Sequence, residues 1–208
     1  PGSFAFDIYY FSGLVEYSLK AEMSTPEAIV HREKFRKVIK VTPTIVPHPS
    51  AFSVNMAEAI ENVEYFCCIP KGSVKLTVST PQVQYSPGDK VDVLVEVDAS
   101  ESRVDIDRIL VTLYRKIELA AEGDSKVMKE VIEANSGNGV WKGSTETRTV
   151  SITISEDSME SYMTSAISCQ FSVNVTLEAI WCREISVRLP LSVNRSQLPE
   201  YTAIMNDT

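Results

Sequence analysis

The sequence predicts an all-β protein, an antiparallel immunoglobulin-like β-sandwich preceded by a β-hairpin. Three observations lead there. Apolar residues recur at every second position through most of the chain, the pattern of strands with one buried face. Turn signals built from Gly, Pro, Ser and Asp separate these runs at short intervals. The 208 residues are 44% hydrophobic, enough to fill a core, and no apolar run is long enough to cross a membrane as a helix.

Pro1-Gly2-Ser3 reads as a cloning scar and is set aside. "FAFDIYYF" follows, aromatic and β-prone, and Ser12-Gly13 reads as the turn of a hairpin. "LVEYSLKAEM" alternates, with Val15, Tyr17, Leu19, Ala21 and Met23 on one face and Glu16, Ser18, Lys20 and Glu22 on the other. "EKFRKVIKV" places Phe35, Lys37, Ile39 and Val41 opposite Lys34, Arg36, Val38 and Lys40, and stops at Thr42-Pro43. Pro43, Pro47, Pro49 and Pro70 punctuate the next stretch. Only "SVNMAEAIENVEYF" within it has weak helical character, so a linker or crossover is expected.

Alternation returns after Gly72. "SVKLTVST" points Val74, Leu76 and Val78 inward, and "KVDVLVEVDA" points Val91, Val93, Val95 and Val97 inward. Between them Tyr85-Ser86-Pro87-Gly88-Asp89 is a turn in which Pro87 presets φ and Gly88 admits positive φ. "DIDRILVTLYRKIEL" gives Ile106, Ile109, Val111 and Leu113. "KVMKEVIEA" fits a strand or a short helix, and "SGNGVWKGS" reads as a loop. The closing strands present Val150, Ile152 and Ile154; Phe171, Val173, Val175, Leu177 and Ala179; and Ile185, Val187 and Leu189. The expected organisation is a scar at 1–3, leading strands at 4–42, a linker or hinge at 43–70, the sandwich at 71–196 and a frayed tail at 197–208.

A net charge of −8 argues against nucleic acid as partner, because phosphates need a basic footprint. Cys67, Cys68, Cys169 and Cys182 are too sparse for a secreted disulfide scaffold and fit a reducing, cytoplasmic setting. They also lack zinc-site spacing, and neither a metal nor a cofactor is expected. His31 and His48 fall in different segments, and Asp105, Asp107 and Glu118 read as solvated strand positions. Gly137-Asn138-Gly139 lacks the strand–helix context of a phosphate loop. No enzyme is expected on these grounds.

Three binding candidates stand out. Lys34, Arg36, Lys37 and Lys40 form a basic run suited to phosphate or an acidic tail. The simpler reading is solvent-facing charge on an edge strand, where lysine discourages aggregation. Cys67 and Cys68 beside Phe66 and Ile69 suit acylation, against the simpler reading of a buried or linker thiol pair. Trp141 is a loop aromatic that either touches lipid or a partner, or caps the sandwich.

The order of these motifs resembles the arrestin superfamily, of the α-arrestin type. "YSPGD" and "DASESRVDI", with Ser102, Arg103 and Val104 in place, are similar to the opening of the C-terminal arrestin domain, and "CQFSVNVTLEAIWCREISVRLPLSV" to its closing strands. "GLVEYSLKAEM" and "EKFRKVIKV" resemble the last strands of the N-terminal arrestin domain, and "FCCIPKG" the junction between the two domains. Only about 40 residues represent that first domain, so its phosphate-sensing residues are not carried over. No Pro-Pro-x-Tyr ligase-binding motif is present; "LPEY" lacks the first proline. The resemblance implies a non-catalytic adaptor linking membrane cargo or receptor tails to trafficking or signalling machinery, with at most peripheral contact with the endosomal or plasma membrane. A retromer-type arrestin-like coat subunit is one alternative. An extracellular adhesion domain with an inter-sheet disulfide through Cys169 is another.

The leading strands raise a physical question. A sheet of two or three strands with no second layer is marginal, and Val15, Tyr17, Leu19, Phe35 and Ile39 would form an apolar patch. A homodimer that covers strands 5–41 is therefore expected, with fold-back onto the sandwich as the other possibility.

Overall fold

The computed structural model describes residues 4–8, 11–23, 33–39, 53–66, 69–121, 124–164 and 167–195. The chain divides into two units, Pro1–Ile45 and Val46–Thr208.

In the first unit, β1 (Phe4–Ile8) pairs antiparallel with β2 (Phe11–Val15). Ile8 lies opposite Phe11, and Gly13 sits inside β2 opposite Phe6. The expected turn at Ser12-Gly13 therefore does not form, because strand pairing takes both residues into the ladder. The alternating run breaks at Glu16. β3 (Tyr17–Met23) then pairs with β4 (Glu33–Ile39) as a separate two-stranded sheet. Leu19 faces Lys37 and Ala21 faces Phe35 on one side, and Ser18 faces Val38 and Lys20 faces Arg36 on the other.

The second unit is a two-layer antiparallel sandwich. One sheet has the order β11 (Thr145–Thr153), β8 (Lys90–Asp98), β6 (Ile69–Thr80), β5 (Asn55–Tyr65). The other has the order β10 (Asp124–Val140), β9 (Ile106–Ala121), β13 (Ile167–Glu178), β14 (Ile185–Val193), β7 (Gln84–Tyr85), with β12 (Tyr162–Met163) added to β13. Alternating side chains drive the layering. Val91, Val93, Val95 and Val97 of β8 are buried while Lys90, Asp92, Leu94 and Glu96 face water. Val74, Leu76 and Val78, Ile109, Val111 and Leu113, Phe171, Val173 and Val175, and Val187 and Leu189 complete the interior. Burying these branched side chains is the main stabilising term, at roughly 1.5–3 kcal/mol each. Ala179 lies past the end of β13 and is half-buried.

The turn before β8 forms as its sequence requires. Asp89 N donates to Ser86 O at 3.0 Å across Pro87-Gly88, and Gly88 has φ 91°. The Asp89 carboxylate accepts from Ser86 N at 2.6 Å, closing the turn from both sides.

Two further expectations are corrected. Residues 55–65, read as linker with helical character, form the eleven-residue edge strand β5. Ala57 and Ala59 turn inward, Met56, Glu58 and Ile60 turn outward, and Val63 is buried. The ladder offered by β6 overrides the helix preference of Ala and Glu, which is a weak prior. The segment read as loop at Ser136–Val140 belongs to β10, opposite β9. A Cβ on Gly139 would lie 1.8 Å from Ile106 O, so glycine there serves close strand approach.

Candidate functional site

Of the four basic side chains the structure describes two, Arg36 and Lys37, on opposite faces of β4. Arg36 Nη2 lies 2.8 Å from Glu16 Oε1 in an exposed ion pair. Lys37 is exposed on the opposite face of β4, across from Leu19. The backbone of Lys34 lies in β4, but its side chain falls outside the described residues, as does all of Lys40. Leu19 and Phe35 share the Lys37 face and are well exposed. Cys67 and Cys68 also lie outside the described residues.

The sequence-predicted Trp141 sits at an elaborate end of the sandwich. Four connections meet there, and backbone hydrogen bonds bind them together. Ser102 N donates to Ala99 O at 3.0 Å, Arg103 N to Lys71 O at 2.8 Å, and Gly143 N to Ala99 O at 2.8 Å. Ser102 Oγ donates to Val104 O at 2.8 Å and accepts from Val104 N, so the "SESRV" element is a locked loop. Lys142 N donates to Asp105 Oδ1 at 2.8 Å, and Ile180 N to Asp107 Oδ2 at 2.7 Å. The carboxylates expected to be plain strand charges thus cap two neighbouring loops.

Two aromatic residues at this end were not legible in the sequence. Phe66 and Trp181 have φ of 51° and 63°, the non-glycine residues in the left-handed region among those described. Phe66 N donates to Trp181 O at 3.1 Å, and Tyr65 bridges Cys182. The Phe66 and Trp181 rings stack at 5.4 Å, and Tyr65 meets Phe66 edge-on at 4.6 Å. Lys71 Nζ lies 5.7 Å from the Tyr65 ring centroid. A sequence clue existed: alternation stops after Glu178, and Ile180-Trp181 places two large apolar residues side by side.

Edge strand β5 offers a second surface. It pairs with β6 alone among the described strands, with Met56 and Ile60 exposed on its outer face. Lys75 Nζ holds Glu58 Oε2 at 3.0 Å beside them.

Cys169 and Cys182 are both free thiols, the first buried and the second half-buried. The inter-sheet disulfide expected of an adhesion domain therefore does not use Cys169. Burial pushes the Cys169 thiol up to about 11, with Arg115 pulling it partly back. An ordinary thiol ionises near pH 9.0. Above about pH 9 the unfolded chain has lost this proton while the folded chain keeps it. Stability therefore falls as pH rises from about 9 to about 11, by roughly 2–3 kcal/mol in total. Below that window the group is neutral in both states and contributes nothing to pH dependence. Alkylation with peptide mapping at pH 8 should modify Cys182 at least tenfold faster than Cys169; equal rates would show that Cys169 is not buried.

Among the described residues no group of three His, Cys, Asp or Glu side chains is placed to hold a metal ion. A cavity of about 580 Å³ beside β12 is lined by Tyr162, Cys169, Phe171, Arg188 and Leu191. It carries no paired acid and base of the kind that moves a proton in catalysis.

Comparison with known proteins agrees with this architecture. No curated protein matches the chain. Among solved structures it is similar to Spo0M, a sporulation control protein from Bacillus subtilis, with 15% identity and a TM-score of 0.50 over 59% of this chain and 49% of that one. The chain thus spans about half the length of that structure. The family described as arrestin (or S-antigen), C-terminal domain, matches residues 70–198, which is more than half of the 208 residues. The chain belongs to the arrestin family, and its sandwich is an arrestin C-terminal domain.

Proposed function

We propose that this protein is a non-catalytic arrestin-type adaptor of the α-arrestin kind, which binds cytoplasmic tails of membrane cargo or receptors. It works in the cytoplasm and is recruited to the endosomal or plasma membrane. The observation that carries the reading is the middle of edge strand β5, which pairs with β6 alone among the described strands, while its ends meet other segments, Asn55 Nδ2 at Pro190 O and Tyr65 at Cys182. Its outward Met56 and Ile60 sit two strand pleats apart, on a strand with hydrogen-bonding groups to spare. An extended tail added there gains main-chain hydrogen bonds, and alternate side chains of the tail pack on Met56 and Ile60. Binding and presenting an extended segment in this way needs no catalytic group.

The β3–β4 sheet adds a second element. Its apolar side leaves Leu19 and Phe35 in water, and a second copy of the chain would cover them. In this reading Arg36 and Lys37 are solvent-facing strand charges.

A photo-crosslinking residue at position 60, with position 147 on β11 as control, tests the assignment in cells. Adducts at position 60 should be enriched at least tenfold in cytoplasmic tails of integral membrane proteins, on the scale of a single good contact. Equal adducts at both positions would remove β5 as the cargo edge. A complex of fixed stoichiometry in every condition would favour the coat-subunit alternative. Light scattering on the purified chain reads the dimer, and a monomer would discard that element alone.

A further inference from the structure

Edge strand β5 carries a charge pattern as well as an apolar one. Met56, Glu58 and Ile60 alternate on its outer face, and Ala57, Ala59 and Glu61 on the other. We propose that β5 admits a cationic strand: a tail segment with Lys or Arg opposite Glu58 and Glu61 and apolar residues opposite Met56 and Ile60. Cytoplasmic segments close to a membrane span are enriched in Lys and Arg, so the source is the membrane-proximal stretch of a cargo tail. The inference rests on the reading of β5 as the cargo edge and adds the sequence that this edge selects.

Register sets the pattern. Residues directly opposite one another on paired strands share a face. On the side already occupied, Thr77 of β6 lies opposite Glu58 and Lys75 opposite Ile60. An antiparallel strand added on the other side meets the same positions in order from Glu61 to Met56. Its six residues then read basic, apolar, neutral, basic, neutral, apolar. The two neutral positions face Ala57 and Ala59, whose side chains stop at Cβ and set no charge requirement. Either strand direction keeps the two basic positions three residues apart.

The surrounding charge favours a cation. Glu58, Glu61 and Glu64 lie on β5, and Glu96 and Asp98 on β8, two strands away. Lys71 and Lys75 of β6 oppose them, two positive charges against five negative. Lys75 is shared: its Nζ holds Glu58 Oε2 at 3.0 Å, and Glu58, then Glu96 and Asp98, bind its proton more firmly than usual. Lys71 lies over the Tyr65 ring. Glu61, Glu64 and Glu96 are exposed and form no ion pair among the described residues. An incoming cation therefore finds attraction that the sheet itself does not satisfy.

The same acids exclude other occupants. Charged side chains on an edge discourage sheets from joining edge to edge. Two copies paired antiparallel so that Met56 meets Ile60 would set Glu58 against Glu58, and like charges in opposition destabilise a ladder. An acidic tail meets the same repulsion. The edge thus selects by rejecting its own copy and anionic segments as well as by attracting cationic ones.

Fluorescence polarisation of labelled peptides on the full purified chain tests this selection. Three peptides share the core X-Val-Tyr-X-Tyr-Val, with lysine, serine or glutamate at both X positions. The lysine form should bind at least tenfold tighter than the glutamate form, because two cross-strand pairs change from repulsion to attraction. Its affinity should fall as salt rises, since the charges are exposed. Glu58→Lys with Glu61→Lys should reverse the order, so that the glutamate form binds best. Both positions are exposed, so the melting temperature should hold within a few degrees. Asp124→Lys, at the start of β10 in the other sheet, should leave the order unchanged. Equal binding of the three forms would overturn the charge selection and leave β5 as a cargo edge. Absence of binding by any form would remove the β5 reading along with it. A lysine preference that survives the double reversal, or that Asp124→Lys removes equally, would place the attraction elsewhere and overturn the proposal. So would a dimer in light scattering that Ile60→Lys dissolves, which would give the edge to a second copy.

Discussion

Gly72→Ala is expected to lower stability by on the order of 3 kcal/mol or more. Gly72 has φ 99°, outside the range that L side chains readily take. A Cβ there would stand 1.9 Å from Glu101 O, 2.9 Å from its carbonyl carbon and 3.2 Å from Ser102 Cα. All three neighbours are backbone, so no side chain can swing aside. Relief would require loop 99–105 to move, and that loop is held by Arg103 N to Lys71 O and by the buried Ser102. Gly143→Ala is the control, because Gly143 has φ 75° but nothing within 4 Å of its Cβ position. It should show only the backbone penalty, about 1 kcal/mol. Urea melts of the two variants read the difference. A Gly72→Ala midpoint no lower than that of Gly143→Ala would mean that the loop is loosely attached.

The interior was legible because buried apolar residues recur at every second position over Val74–Val78 of β6, Val91–Val97 of β8, Cys169–Leu177 of β13 and Ile185–Val193 of β14, although Ser168, Ser172 and Thr176 between them on β13 are buried too. Valines at 91, 93, 95 and 97 cannot be read any other way. The Pro87-Gly88 turn was equally plain, since each residue supplies a backbone angle the turn demands. What escaped was structure whose cause lies on another strand. β5 turns alanines inward and glutamates outward, so its small inner residues carry little periodic signal. β6 makes it a strand by supplying hydrogen-bond partners over nearly its whole length. Gly137 and Gly139 looked like loop residues, because a sequence does not show how near β9 approaches them.

The loop end divides in the same way. Trp141 could be singled out because it stands between glycines in a turn-rich stretch. Phe66 and Trp181 could not. Their role follows from positive φ and from a hydrogen bond across 115 positions of chain, 181 minus 66. Residue type argues against both angles, since bulky side chains avoid that region. The basic run shows the limit of proximity in sequence. Lys34, Arg36 and Lys37 are close in sequence, but a strand sends Arg36 and Lys37 to opposite faces, and Glu16 engages Arg36.

Phe171→Ala should destabilise the sandwich by about 3–5 kcal/mol. Phe171 is the largest of the fully buried side chains among the described residues, at 1% exposure. It sits on β13, a strand paired on both sides, with Arg115 of β9 and Leu191 of β14 opposite it. Strands locked into ladders on both sides cannot close in on a void, so the cavity term adds to the lost transfer energy. Phe171→Leu keeps most of the volume and should cost less than half as much. Leu94→Ala, on the outer face of β8, should cost under about 1 kcal/mol. A single domain holds only about 5–15 kcal/mol in reserve, so Phe171→Ala should also bring a visible unfolded fraction at body temperature. Urea midpoints at constant m-value measure all three variants. β13 runs on to Glu178, two residues before the Ile180-Trp181 pair, so loosening the strand at 171 should release the loop end as well. Trp181 emission moving to the red in Phe171→Ala before the global melt would show that coupling. Emission unchanged up to the melt would mean that the loop end is held by its own hydrogen bonds alone.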